Sequence, residues 1–188
     1  ASRQAALGRL DLRDGLWVYG YGSLMWDPGV HFAEIRLAAL DGHQRRFNFQ
    51  TSMARGTVEQ PALMLSLEAR AGCCQGLAIH LAAERAEAEL EILWRREMIR
   101  GAYRPVMLPV ATPQGDISAL VFTSNPAHPE YVGELPLPDT AAIIARAAGV
   151  MGTNRDYLEQ MARQLAALEI HDDYVAQLVS KVREIHGG

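Results

Sequence analysis

Between residues 16 and 122 the sequence offers a string of short β-prone runs, most of them parted by turn signals, and this spacing restricts the fold more than any other feature. The runs are Leu16 to Tyr21, Glu34 to Leu40, Arg45 to Phe49, Ala62 to Leu67, Gly76 to Leu81, Val106 to Val110 and Ile117 to Phe122. Asp41-Gly42, Gly72 and Pro113-Gln114-Gly115 read as hairpin-like breaks. Short strands at such intervals predict a barrel or a strongly curved sheet. A helix over about Glu84 to Arg100 interrupts them. After Pro138 the pattern becomes helical. Asp139 and Thr140 offer caps for a short helix ending near Gly149, and Thr153 or Asn154 opens the next, with Leu158, Met161, Leu165 and Leu168 along one face. Asp172 opens a last helix carrying Val175, Leu178, Val182 and Ile185. The expected fold class is α+β, a small mixed β-barrel with flanking α-helices docked on it.

A chain of 188 residues encloses a substantial core as one domain, expected over 1–188, with 1–14 as an N-terminal extension and 139–188 as C-terminal helices packed on the barrel. A formal charge of -4 provides no general attraction for phosphate backbones, so nucleic acid is not an expected partner. Arg95, Arg96 and Arg100 share their segment with Glu84, Glu87, Glu89 and Glu91, which predicts a solvated, salt-laced face; Arg45 and Arg46 invite the same reading. No apolar run of about eighteen residues is present to cross a bilayer, and Ala1 to Asp14 lacks the apolar core of a secretory signal, so a cytoplasmic, membrane-free protein is expected. Cys73 and Cys74 are adjacent and read as buried, reduced thiols in preference to a redox pair. None of the six histidines stands in a zinc-binding pattern, so no metal is expected.

Two segments carry chemistry. Residues 17 to 26, Trp-Val-Tyr-Gly-Tyr-Gly-Ser-Leu-Met-Trp, pass from strand-forming residues into a glycine turn whose backbone amides can approach an anionic or carbonyl group. In the central helix, Glu97 projects with Leu90 and falls between Leu93 and Trp94, whereas Arg95, Arg96 and Arg100 are expected to point elsewhere. Burial disfavours a charged carboxylate and raises its pKa toward the range useful for proton transfer. The alternative is that Glu97 reaches solvent or pairs with one of the arginines.

Tyr21-Gly22-Ser23-Leu24 with Trp26, Arg45-Arg46-Phe47, Ser52 with Arg55-Gly56-Thr57, Cys74-Gln75-Gly76-Leu77-Ala78, Trp94-Arg95-Arg96-Glu97-Met98 with Gly101-Ala102-Tyr103, Tyr131 with Gly133, and the stretch from Ala141 to Leu158 occur in one order along the chain. In this the sequence resembles the ChaC-type γ-glutamylcyclotransferases, and their bacterial branch in particular. It departs from the family pattern at Ala54, at Ala62-Leu63 and at Val150-Met151. The resemblance implies a γ-glutamylcyclotransferase-like fold in which the Tyr21 to Leu24 loop and Glu97 face one cavity. It also implies a cofactor-free lyase that converts glutathione to 5-oxoproline and Cys-Gly.

Under that resemblance Glu97 is the expected general acid/base. The amides of Gly22, Ser23 and Leu24 hold either the substrate's α-carboxylate or the oxyanion. Arg55 is a candidate for a substrate carboxylate or, alternatively, a loop anchor through carbonyls. Tyr21, Tyr103 and Tyr131 are candidates for the pocket wall. Ser23 has no Ser/His/Asp partners in order and reads as loop structure. The competing functions are cyclisation of other γ-glutamyl amino acids or amines, and a noncatalytic module that binds a γ-glutamyl ligand.

Overall fold

The computed structural model describes residues 10–187. The first nine positions of the expected N-terminal extension, and residue 188, therefore lie outside the described residues. In chain order the elements are β1 (Leu16–Gly20), a 3-10 turn (Ser23–Met25), β2 (Glu34–Thr51), β3 (Ala62–Leu81), α1 (Ala86–Met98), β4 (Tyr103–Val110), β5 (Ile117–Ser124), α2 (Leu137–Arg146), β6 (Ala148–Gly149), β7 (Gly152–Thr153), α3 (Asn154–Ala167) and α4 (Asp173–Gly187). They fall into two compact units. The first takes the chain up to Gln44 and Leu67–Asn125; the second takes Arg45–Ser66 and the chain from Pro126 onward.

The five long strands are ordered β2-β3-β1-β5-β4. In the first unit, β1 runs antiparallel to β3, with Leu16 opposite Leu81, and parallel to β5, with Trp17 opposite Ala119. An antiparallel bridge between Ala39 on β2 and Ala111, just past β4, joins the two edge strands through a pair of 2.9 Å hydrogen bonds. The sheet thus closes on itself and leaves fewer unpaired edge groups. Val18, Tyr19, Leu67, Ile79 and Phe122 are buried, as are Leu90 and Leu93 on α1.

Two of the expected hairpin breaks are not breaks. β2 runs through Asp41-Gly42 and β3 through Gly72 without interruption. Gly42 and Gly72 take positive φ values, 69° and 140°, so each glycine bends its strand instead of ending it. Gln44 lies against the Gly72 backbone and donates to the Ala71 carbonyl at 2.6 Å. The turn at Pro113-Gln114-Gly115 does join β4 to β5, with Gly115 N–H donating to Thr112 O at 3.0 Å.

In the second unit α2 begins two residues before Asp139. Pro136 is the N-cap and Pro138 lies in the first turn, where a missing N–H costs no helical bond. Asp139 and Thr140 are inside that turn, and the helix stops at Arg146, where Ala147 turns to extended backbone (ψ 132°) leading into Gly149 of β6. α3 starts as expected: Thr153 and Asp156 form a reciprocal capping box. The buried Asn154 side chain clamps this start to β3, accepting from Leu63 N–H at 2.8 Å and donating to Leu63 O at 3.0 Å.

Asp172 caps α4 by accepting from Val175 N–H at 3.1 Å, and its other oxygen pairs with Arg45 at 2.9 Å. Arg45 is buried, which corrects its reading as a solvated face: a guanidinium inside the protein needs such a partner. Arg46 stacks over the Tyr174 ring at 4.4 Å. Leu158, Met161 and Leu165 on α3 and Val175, Leu178 and Val182 on α4 are buried, while Ile185 at the stripe's end is exposed.

Candidate active site

In the first unit β1 delivers the chain into the loop. Met25 N–H donates to Gly22 O at 2.9 Å, and Trp26 and Asp27 N–H both donate to Ser23 O. The amides of Ser23 and Leu24 thus precede the first bond of the turn and are not used by it. Tyr21 is buried, and its hydroxyl donates to the Phe122 carbonyl on β5 at 2.8 Å, pinning the loop's first residue. Gly22 has φ -131°, so it is not placed there by a left-handed conformation.

Close packing is what the glycines here serve. A side chain at Gly76 would strike the Gly20 carbonyl, and Tyr19 OH donates to Cys74 O at 2.5 Å beside it. The Cys74-Gln75-Gly76 segment is therefore the floor under the end of β1. Cys74 is buried but Cys73 is exposed, because neighbouring strand residues face opposite sides; only half of the two-thiol expectation holds.

Glu97 sits in the last turn of α1 with its side chain 15% exposed. Burial pushes its carboxyl above the ordinary carboxylate range, and Arg96 acts in the opposite sense. Arg96 does not point away, as its helical position suggested. Its Nε lies 3.2 Å from Glu97 Oε1, its Nη2 donates to Ser23 Oγ at 2.7 Å, and its Nη1 donates to Asp27 O at 2.6 Å. Adjacent helical residues do not face each other, but a long, planar guanidinium on a flexible stem reaches around. The glycine loop and the acidic side chain therefore meet on one cation. Arg95, by contrast, pairs with Glu91 at 2.6 Å on the exposed face, as expected.

Glu89 is also not on that face. It is buried and accepts from His31 N–H at 3.1 Å, so α1 grips the segment after the loop at a second point. Sequence reasoning missed both Arg96 and Glu89. The available signal was Asp27-Pro28-Gly29, a turn that needs something to hold it.

Tyr103 begins β4 in the same unit, half-buried and opposite Ser124, whose hydroxyl donates to Glu68 at 2.8 Å. Arg55 and Tyr131 belong to the second unit. Arg55 donates to the Thr153 carbonyl at 2.9 Å and stands 5.7 Å from the Tyr157 ring centre, which is the anchoring arrangement among its two expected roles. Tyr131 bridges Phe49 by backbone and ring, the ring centres 5.3 Å apart. Gly149 lies against the backbone of Ala54 and Gly56, and Met151 N–H donates to Ala54 O at 2.8 Å. The departures Val150 and Met151 form an exposed tip there, while Ala62 and Leu63 are buried. Among the described residues, no group of three or more His, Cys, Asp or Glu side chains is placed to hold a metal, and no helix is long and apolar enough to cross a membrane.

This architecture is the γ-glutamylcyclotransferase fold. It matches a crystal structure of a selenomethionine-labelled γ-glutamyl cyclotransferase specific to glutathione from yeast with a TM-score of 0.82, at 22% identity and over 91% of this chain and 96% of the other. The family model for ChaC-like proteins matches residues 16–185, and the chain belongs to that family. It is 38% identical over 171 residues to the glutathione-specific γ-glutamylcyclotransferase of Escherichia coli, covering 90% of this chain and 74% of that one. It is 34% identical over 181 residues to γ-glutamylcyclotransferase 2-1 of Arabidopsis thaliana, covering 90% and 82%.

Proposed function

We propose that the protein is a glutathione-specific γ-glutamylcyclotransferase whose acid/base group is Glu97. The observation that carries this reading is a largely buried carboxyl held to the same guanidinium as the hydroxyl of the glycine loop. The names of its Escherichia coli and Arabidopsis relatives supply the substrate class.

The substrate brings its own nucleophile. Glu97 takes a proton from the γ-glutamyl α-amine, the nitrogen attacks the γ-carbonyl carbon, and a five-membered ring closes. An intramolecular attack of this kind removes much of the entropic barrier of a bimolecular one. The C–N bond to the cysteine then breaks as the carboxyl of Glu97 returns the proton to the departing nitrogen, leaving 5-oxoproline and Cys-Gly. Because burial lifts its pKa, Glu97 is a stronger base than an ordinary carboxylate, and its protonated form, though a weaker acid, still yields its proton to the much more basic departing nitrogen. The amides of Gly22, Ser23 and Leu24 serve the substrate's carboxylate or the oxyanion. Arg55, Tyr21, Tyr103 and Tyr131 enter the proposal as substrate contacts through the family resemblance. A cytoplasmic location belongs to the same reading, which the free thiols of Cys73 and Cys74 suit.

The test is comparative turnover of glutathione, γ-glutamyl amino acids and γ-glutamyl-lysine, read as 5-oxoproline released. Glutathione is expected to be the preferred substrate. Faster release from another compound would reassign the leaving group, and binding without release from any would make the chain a ligand-binding module.

A further inference from the structure

Arg96 is unlike Arg95, the other arginine of α1. Its guanidinium reaches a carboxyl on its own helix, at 3.2 Å, and two groups of the loop, the Ser23 hydroxyl at 2.7 Å and the Asp27 carbonyl at 2.6 Å. The chain makes room for it: Gly29, at φ 65°, lies where a side chain would come within 3.2 Å of Arg96 Nη1. A residue with a side chain is disfavoured there twice over, by the left-handed backbone and by the arginine. Glu89, holding His31 N–H two turns earlier on α1, fastens the far side of the same turn.

We infer that Arg96 is a positioning residue which, through one planar guanidinium, sets the Glu97 carboxyl and the amides following Gly22 at a fixed separation. The inference rests on the cyclotransferase reading of Glu97. Without the clamp, Glu97 is a flexible side chain at a helix end, and the loop after β1 loses its direct tie beside that carboxyl, although Glu89 still holds His31 farther along. A lysine cannot replace it fully, because an ammonium is a point charge and does not present a fork to three partners. Arg96 is also the charged group that favours the ionised form of Glu97, against the effect of burial.

The experiment is the pH dependence of kcat and kcat/KM for 5-oxoproline release from glutathione by wild type, Arg96→Gln, Arg96→Lys and Ser23→Ala, with thermal unfolding of each. In Arg96→Gln, kcat should fall roughly 10- to 100-fold through misplacement of the reacting groups. Its acidic limb should move to higher pH, because the cation that favours the Glu97 carboxylate is gone. Arg96→Lys should return the limb toward wild type while keeping part of the loss in kcat. Ser23→Ala should lower kcat with the limb in place.

An active wild type combined with an unmoved limb in Arg96→Gln, whatever its Tm, overturns the inference and leaves the function standing. If Arg96→Gln does not fold, Arg96→Lys decides: a kcat equal to wild type overturns the inference, and a reduced kcat with a wild-type limb supports it. A wild type that forms no 5-oxoproline from any γ-glutamyl compound removes the reading of Glu97, and this inference with it.

Discussion

The loop after β1 and the segment around Arg55 are built alike and differ in what they hold. In each, an arginine donates to a distant carbonyl, Arg96 to Asp27 and Arg55 to Thr153. In each, a glycine admits a close backbone, Gly76 under Gly20 and Gly149 against Ala54. The first clamp also touches a hydroxyl and a mostly buried carboxyl, whereas the second faces a tyrosine ring and a capping box. Similar scaffolding thus surrounds a mostly buried carboxyl, Glu97, in one unit and an exposed capping-box carboxyl, Asp156, in the other. What separates the two is burial, which pushes the Glu97 carboxyl above its ordinary range, while hydrogen bonds from Thr153 hold that of Asp156 below it.

The largest effect separating the two regions is expected at Glu97. Glu97→Gln should lower turnover about 10²- to 10⁴-fold while the fold persists. Its stability should also respond differently to pH. A carboxyl with a raised folded pKa contributes stability that is complete below its ordinary value of 4.5 and is lost as pH rises through the folded value. Urea unfolding should therefore show wild type losing more stability than Glu97→Gln between acidic and neutral pH. Equal slopes would mean the carboxyl is not desolvated.

Next come the two closely packed glycines, Gly76 buried and Gly149 half-buried. Gly76→Ala and Gly149→Ala each force a methyl group onto backbone and should each cost about 1–3 kcal/mol in denaturant unfolding. Only Gly76→Ala should also lower kcat, since it displaces the strand that carries the loop. Equal loss of kcat in both would break the contrast between the regions. Arg55→Met should remove one hydrogen bond, worth about 1 kcal/mol, and the proposed substrate contact predicts a higher KM with kcat held. An unchanged KM would leave Arg55 as an anchor alone. Val150→Ser, at a position 97% exposed, should change stability by no more than about 0.5 kcal/mol.

Much of this was legible in the sequence because the signals were local. The run into the Tyr21 to Leu24 loop, the helix containing Glu97, the Thr153 cap and the Asp172 helix start depend on neighbours within a few residues. The errors came where a distant partner decides. Asp41-Gly42 and Gly72 carry turn chemistry, but cross-strand pairing continues past them, and the glycines bend the strands instead. Arg45, Glu89 and Arg96 look like surface charge until Asp172, His31 and Ser23 are brought to them from 127, 58 and 73 residues away. Asp139 and Thr140 are good caps in the abstract, yet the extended conformation at Pro136 starts the helix before they can act.

The most direct test of the account is a product balance on glutathione with wild type and Glu97→Gln side by side, quantifying 5-oxoproline, glutamate and Cys-Gly, together with glutathione binding by the variant. Wild type should release 5-oxoproline and Cys-Gly in equal amounts with no glutamate, and Glu97→Gln should bind glutathione and release neither product. Glutamate in place of 5-oxoproline, or a variant as fast as wild type, would contradict ring closure driven by this carboxyl.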